Sequence, residues 1–191
     1  MEKAQEILNF WLDEVGPEGW YIADDALDQK IRDRFLADWE LAAKGKYCDW
    51  RTYPDKALAL IILLDQFPRN MFRNDKQAFS TDKLARCAAR HAIDAKFDLR
   101  TPEPARQFYY LPLMHSECLT DQERCVRLVT TRMPETSVTT LPHARVHREL
   151  IRKFGRFPYR NQALDRKSTA AEAEFLGANG YEQTLQRILA A

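Results

Sequence analysis

One short phrase occurs twice in this chain, as Asp65-Gln66-Phe67-Pro68-Arg69-Asn70 and as Gly155-Arg156-Phe157-Pro158-Tyr159-Arg160-Asn161. Both copies gather residues able to hold an anion. An arginine guanidinium is a planar fork that matches a carboxylate or phosphate two-pronged, and an asparagine amide beside it can fix orientation. Proline breaks the helical hydrogen-bond ladder, so each phrase is expected to close a helix and leave Arg69, Asn70, Arg156, Arg160 and Asn161 at its end, with Asp65 alongside. Two such ends meeting in one cleft would bind a small anionic molecule or a peptide carboxylate. The competing use is structural. Arginines near a helix C-terminus cap carbonyls, asparagine adopts awkward turn conformations, and Asp65 can pair with an arginine in a buried bridge.

A second set is Leu113-Met114-His115-Ser116-Glu117. Histidine titrates near neutrality, so His115 can act as a base, with Glu117 as acid or orienting group. Ser116 would need a base aimed at its hydroxyl. The structural alternative is that His115 and Glu117 satisfy backbone groups where the helix breaks. His143 and His147 stand four apart, which places them on one helix face at a spacing able to hold zinc. The intervening glutamate of a metalloprotease helix is missing, and no metal is expected. Tyr109 and Tyr110 cannot share a helix face, so one of them is expected to have a polar or exposed role; Tyr110 joins the candidate ligand contacts. There is no glycine-rich phosphate loop, dinucleotide fingerprint, nucleophile elbow or zinc-finger spacing, and no cofactor is expected. The leading reading is a ligand-binding protein. The alternatives are a hydrolase with His115 or His147 as base and Glu117 or Asp65 as its partner, or a protein–protein interaction scaffold.

These side chains need elements to position them, and helical spacing dominates. Ile7, Leu8, Trp11 and Leu12 recur at steps of three and four, as does the stripe Leu27, Ile31, Phe35 and Trp39, with Asp24 or Asp25 as its cap and Gly45 as its stop. Pro54 suits a first turn, and Ala57 to Leu64 is apolar all round, predicting a central helix ended by Pro68. Ser80 or Thr81 is expected to cap the next helix, with Leu84, Cys87, Ala88, His91 and Ala92 facing inward. Thr120 to Glu123 reads as a capping box, and Pro142 as the first turn of a later helix with Val146, Leu150, Ile151 and Phe154 on its core face. Ser168-Thr169 opens another. With no credible strand and no long polar linker, a single all-helical domain over 1–191 is expected, with about eight or nine helices.

Composition narrows the function classes. Twenty-nine basic residues are interspersed with 28 acidic ones, so no global field favours nucleic acid or an anionic membrane. The longest apolar run is too short to cross a bilayer, and no secretory leader is evident. Cys48, Cys87, Cys118 and Cys125 lack close pairing and read as reduced thiols of a cytoplasmic protein.

Ile7-Leu8-Asn9-Phe10-Trp11, the block Ala57 to Arg73, Pro112 to Glu117 with Asp121 to Arg124, and His147 through Asn161 together resemble the bacterial domain-of-unknown-function family nine-two-four. That resemblance implies a tetratricopeptide-like array of helical hairpins, although the strict tetratricopeptide consensus is missing. It implies no reaction, substrate or cofactor. In one departure, this chain has Tyr159 where the family often has histidine after the second Phe-Pro, so no base or metal ligand is supplied there.

Overall fold

The computed structural model describes residues 2–190, and among them every regular element is helical. Contacts divide the chain into two compact units, one ending at Pro112 and the other starting at Leu113.

In the first unit α1 (Lys3–Leu8) passes into a π-helical segment (Asn9–Val15) and a single turn, α2 (Gly16–Gly19). α3 (Asp25–Ala43) follows, capped by the Asp24 side chain accepting from the Ala26 N–H at 2.9 Å. Gly45, in the left-handed region at φ 85°, takes the chain away from it. A 3₁₀ turn (Cys48–Thr52) leads to α4 (Pro54–Ile61), which has its proline in the first turn as expected. Every residue from Ala57 to Leu64 is buried, so this is the central helix.

Pro68 does not stop it. A π-helical segment (Ile62–Gln66) inserts ahead of the proline, and α5 (Phe67–Met71) carries on with Pro68 in its first turn. Proline has no N–H for the carbonyl four residues back, which belongs to Leu64. That carbonyl receives the Thr81 hydroxyl instead, at 2.6 Å. Local re-registration of the ladder is what π segments do, and Thr81 repairs the remaining defect. The hydroxyl is thereby withdrawn from capping: Thr81 precedes α6 (Asp82–Asp94) but makes no side-chain cap bond. On α6 the inward residues are Ala85, Ala88, Ala89, Ala92 and Ile93, whereas Leu84, Cys87 and His91 are exposed. The apolar stripe is thus made of alanines, which allow close approach to α4. After 3₁₀ turns at Asp98–Arg100 and Ala105–Tyr109 comes the short α7 (Leu111–Met114). Tyr109 and Tyr110 are both fully buried. Each spends its hydroxyl inside, Tyr110 on Asp98 Oδ2 at 2.6 Å and Tyr109 on the Pro54 carbonyl at 3.1 Å.

The second unit contains α8 (Leu119–Arg132), α9 (Ser137–Phe154), α10 (Ala170–Gly177) and α11 (Gly180–Leu189). The expected capping box at Thr120 is not formed. α8 starts two residues earlier, with Cys118 at the N-cap position, Asp121 accepts from Ser116, and Glu123 pairs with Arg148 and Arg152. Pro142 lies inside α9, which begins five residues before it. Its missing hydrogen bond falls on Val138, in the exposed first turn, where water can serve the carbonyl. α9 packs against α8 and α11. Val146, Leu150, Ile151 and Phe157 form the core, with Phe154, Phe175, Tyr181, Leu185 and Ile188 against it. Setting aside the single turns α2 and α7, nine α-helices occur among the described residues, in line with the eight or nine expected.

Candidate functional site

The first Phe-Pro phrase sits in a buried, internally paired network. Arg69 donates to the Asp65 carbonyl at 2.6 Å and lies 3.4 Å from the Asp65 carboxylate and 2.9 Å from that of Asp82. Asp65 also accepts from Gln66 Nε2 at 2.5 Å. Asn70 donates to Asp28 Oδ1 at 2.8 Å, and Arg73 clamps the same carboxylate through two nitrogens. Asp28 was not a sequence candidate, yet it is buried and lies on the inner stripe of α3 with Ile31, Phe35, Trp39 and Ala42. Its register was the available signal: an acid three residues before Ile31 falls on the apolar face and calls for a cation. Leu27, expected there, is only half-buried. Tyr21 is exposed as a residue but donates its hydroxyl to Gln107 Oε1 at 2.5 Å. Desolvation of that hydroxyl, and then the Asp65 charge, push its pKa well above the ordinary phenol value.

The second phrase is a true stop. Gly155 takes the left-handed conformation at φ 70° and donates to the Ile151 carbonyl at 2.9 Å, ending α9. A 3₁₀ turn (Pro158–Arg160) follows. Arg156 grips Glu172 with two nitrogens, at 2.6 and 2.7 Å, and the Lys167 carbonyl at 2.9 Å. Glu172 is also the far member of a capping box with Thr169 at the start of α10. The Arg156 hydrogen bond, followed by the Thr169 N–H, holds the Glu172 carboxyl far below the usual carboxylate range. Arg160 is buried, its guanidinium 4.6 Å over the Phe157 ring. Asn161, also buried, donates through Nδ2 to Ser168 Oγ at 3.1 Å, while its Oδ1 receives no hydrogen bond among the described residues.

Glu117 ties this turn to the segment before α8. Its carboxylate accepts from Arg166 two-pronged, at 2.7 and 3.0 Å, and from the Phe157 N–H at 2.8 Å. Burial pushes the carboxyl up, but the Arg166 hydrogen bonds, the Phe157 N–H and the nearby charges of Arg166 and Arg160 outweigh it and leave it below its ordinary value. Through these bonds Glu117 fixes the Phe157 backbone and the Arg166 side chain. Ser116 is likewise committed, donating to Asp121 Oδ2 at 2.7 Å. Gln122, fully buried, gathers the carbonyls of Leu113, Met114 and Ser116 through one amide nitrogen. The irregular segment is therefore a built feature, and His115 lies within it, half-buried.

His115 and His147 are brought together, with ring centroids 6.4 Å apart. Around His147 stand Phe157 at 5.2 Å, Tyr181 at 5.7 Å and Tyr159 at 6.5 Å. His143 turns its Nδ1 to the Tyr181 hydroxyl, 2.8 Å away. Burial lowers the His143 pKa and the charge of Glu182 restores part of it. Among the described residues no three His, Cys, Asp or Glu side chains are placed to hold a metal ion, and no helix is long and apolar enough to cross a membrane.

Of the named candidates, then, the structure places Asp65, Arg69 and Asn70 in one unit-internal network. Glu117, Arg156, Arg160 and Asn161 lie around the other turn, whose Phe157 packs on His147. Sequence reasoning missed Asp28, Gln122, Arg166, Glu172 and Tyr181. Asp28 carried a signal in its register and Glu172, three residues after Thr169, in its spacing; Arg166 reaches Glu117 across 49 positions of sequence.

The chain matches the family described as bacterial protein of unknown function (DUF924) over residues 7–180. The solved structure of a protein of unknown function from Agrobacterium tumefaciens, ATU0120, is 38% identical, with a TM-score of 0.84. The alignment covers 91% of this chain and 96% of that one. No curated protein matches.

Proposed function

The chain belongs to the bacterial DUF924 family, and we propose that it binds a small anionic molecule or a peptide carboxylate at the second Phe-Pro turn, with His115, His147, Arg160 and Asn161 as its polar contacts. The observation that carries this reading is the meeting of two imidazoles from separate elements beside Phe157 and Tyr159. Imidazole N–H groups and a guanidinium donate to an anion, and the aromatic rings exclude water from it. Arg156 and Glu117 act as supports in this scheme, since carboxylate or guanidinium partners already hold them in place, and Arg69, paired inside the first unit, takes no part in it. The helical hairpins are read as a tetratricopeptide-like array and the setting as the cytoplasm.

The test is an NMR titration of the imidazole Cε1–H resonances with inorganic phosphate, acetate and diglycine. Saturable shifts of His115 and His147 are expected. Loss of the His115 shift in His147→Ala, with the fold retained by circular dichroism, would support the site. No saturable shift with any of the three anions up to roughly 50 mM, weaker than any useful Kd, would overturn it.

A further inference from the structure

A separate feature of the first unit, independent of the ligand reading, involves two thiols. Cys48 and Cys87 are both exposed and both line one small cavity of about 60 Å³, with Leu60, Leu64 and Leu84 as its apolar wall. Cys48 opens the 3₁₀ turn Cys48–Thr52 and Cys87 stands in the middle of α6, and the turn packs against that helix. Arg51 joins them. Its Nε donates to the Cys48 carbonyl at 3.1 Å and its Nη1 lies 3.8 Å from Cys87 Sγ. Cys48 Sγ rests against Gly45, where even an added Cβ would come within 3.4 Å of the sulfur. Glycine at that point, needed for its positive φ, also leaves the sulfur room at the cavity rim.

We infer that Cys48 and Cys87 form a dithiol site that a hydroperoxide closes to a disulfide. Cys87, as thiolate, attacks the peroxide O–O bond. An S–O bond forms, and hydroxide leaves and is protonated to water. The Cys48 sulfur then displaces the sulfenic oxygen, which departs as a second water, and the S–S bond forms. The two thiols lose two electrons and one hydrogen peroxide becomes two waters, so the step balances. Arg51 supplies positive charge beside the sulfur that carries negative charge on the way to attack. Cys118, exposed in the other unit, and Cys125, buried, do not line this cavity and serve as internal controls. A structural disulfide is unusual in a reducing compartment, but a reversible one is the common sensing device there.

The experiment treats the full chain with equimolar hydrogen peroxide, blocks remaining thiols, and maps tryptic peptides by mass spectrometry. The expected product joins peptides 47–51 and 87–90, is lighter than the sum of the two by two hydrogen atoms, and opens with dithiothreitol. Cys118 should be recovered as blocked thiol. Arg51→Gln should slow closure by about fivefold or more, in keeping with charge control of thiolate chemistry. Cys48→Ser should leave Cys87 as sulfenic acid that a dimedone probe captures. Sulfur oxidation on the two peptides separately, with no linked species, would overturn the inference, as would linkage only between molecules. So would closure in Arg51→Gln at the rate of the unaltered chain, for the guanidinium's part in it.

Discussion

The two phrases share Phe-Pro with Arg-Asn behind it and do opposite things. In the first unit the helix runs through the proline: a π segment absorbs the change of register, and the stranded Leu64 carbonyl is answered by Thr81 from the next helix. In the second, Gly155 has already ended α9, and the proline starts a 3₁₀ turn. What separates them is the residue three positions before proline. Asp65 continues a helix; Gly155 adopts the left-handed turn that ends one. The arginines diverge accordingly. Arg69 is bound by the carboxylates of Asp65 and Asp82, whereas the second turn sets Arg160 over Phe157 beside the two-imidazole cluster. Like phrases are thus used once to pass a helix through a core and once to present side chains.

The largest effect should come from the phenylalanines. Phe67 is fully buried against Phe10, Trp11 and Phe35, and Phe157 against His147 and Tyr159. Replacing either by alanine should cost roughly 3–5 kcal/mol in urea denaturation. Phe157→Ala should in addition shift the His147 resonance. A loss below about 1 kcal/mol for Phe67 would mean the first phrase is peripheral, against its burial.

Next comes the patch that lets the first helix pass. Thr81 Oγ1 donates to Leu64 and accepts from Trp39 Nε1 at 3.2 Å. Thr81→Val keeps the shape but orphans a buried carbonyl and a buried N–H, so about 2–3 kcal/mol should be lost. Combining it with Pro68→Ala returns an N–H to the Leu64 carbonyl and should recover part of that loss. Absence of any rescue in this double-mutant cycle would break the account of the pass-through.

Acid should act on the second turn. Glu117 and Glu172 both have folded pKa values below the ordinary carboxylate value of 4.5. Their contribution is therefore complete above the unfolded pKa and is lost as pH falls through the folded one. Stability should fall as pH drops below about 4.5, and Glu117→Gln should flatten that dependence while costing about 1–2 kcal/mol at pH 7, allowing for solvent screening of a half-buried pair. An unchanged acid profile in Glu117→Gln would remove the Arg166 clamp from the explanation.

Helices were legible because their signals are local: the stripe of α3, the apolar run of α4, Pro54 at a first turn and Gly155 at an end are each decided within a few residues. Failures came where a distant partner set the outcome. Nothing near Pro68 announces that Thr81 will serve its orphaned carbonyl, and nothing near Thr120 says that Asp121 will be taken by Ser116 and Glu123 by α9. The inner face of α6 was misplaced because its alanines allow close packing that larger, more hydrophobic neighbours do not. The candidate site was half legible. Residue types that hold anions were visible, but which guanidiniums are consumed by carboxylates depends on pairs such as Arg156–Glu172 and Glu117–Arg166, separated by loops over which sequence spacing carries no information.

The smallest effect sharpens the comparison at its aromatic edge. His143, on α9, meets the Tyr181 hydroxyl of α11, and burial holds its folded pKa below the ordinary 6.5. A histidine with a depressed folded pKa binds its proton more readily when unfolded or undocked, so the docked form loses stability as pH falls through the unfolded value. The contact is largely solvent-exposed, so α11 should loosen only slightly between pH 7.5 and 5.5. Hydrogen exchange of peptides covering 180–190 should accelerate by about threefold or less beyond the intrinsic pH dependence. His143→Gln, which keeps a hydrogen-bonding group but cannot titrate, should abolish that excess without touching the first unit. Excess exchange persisting in His143→Gln would take His143 out of the account and leave the stacked His143–Tyr181 contact a matter of packing, not of protonation.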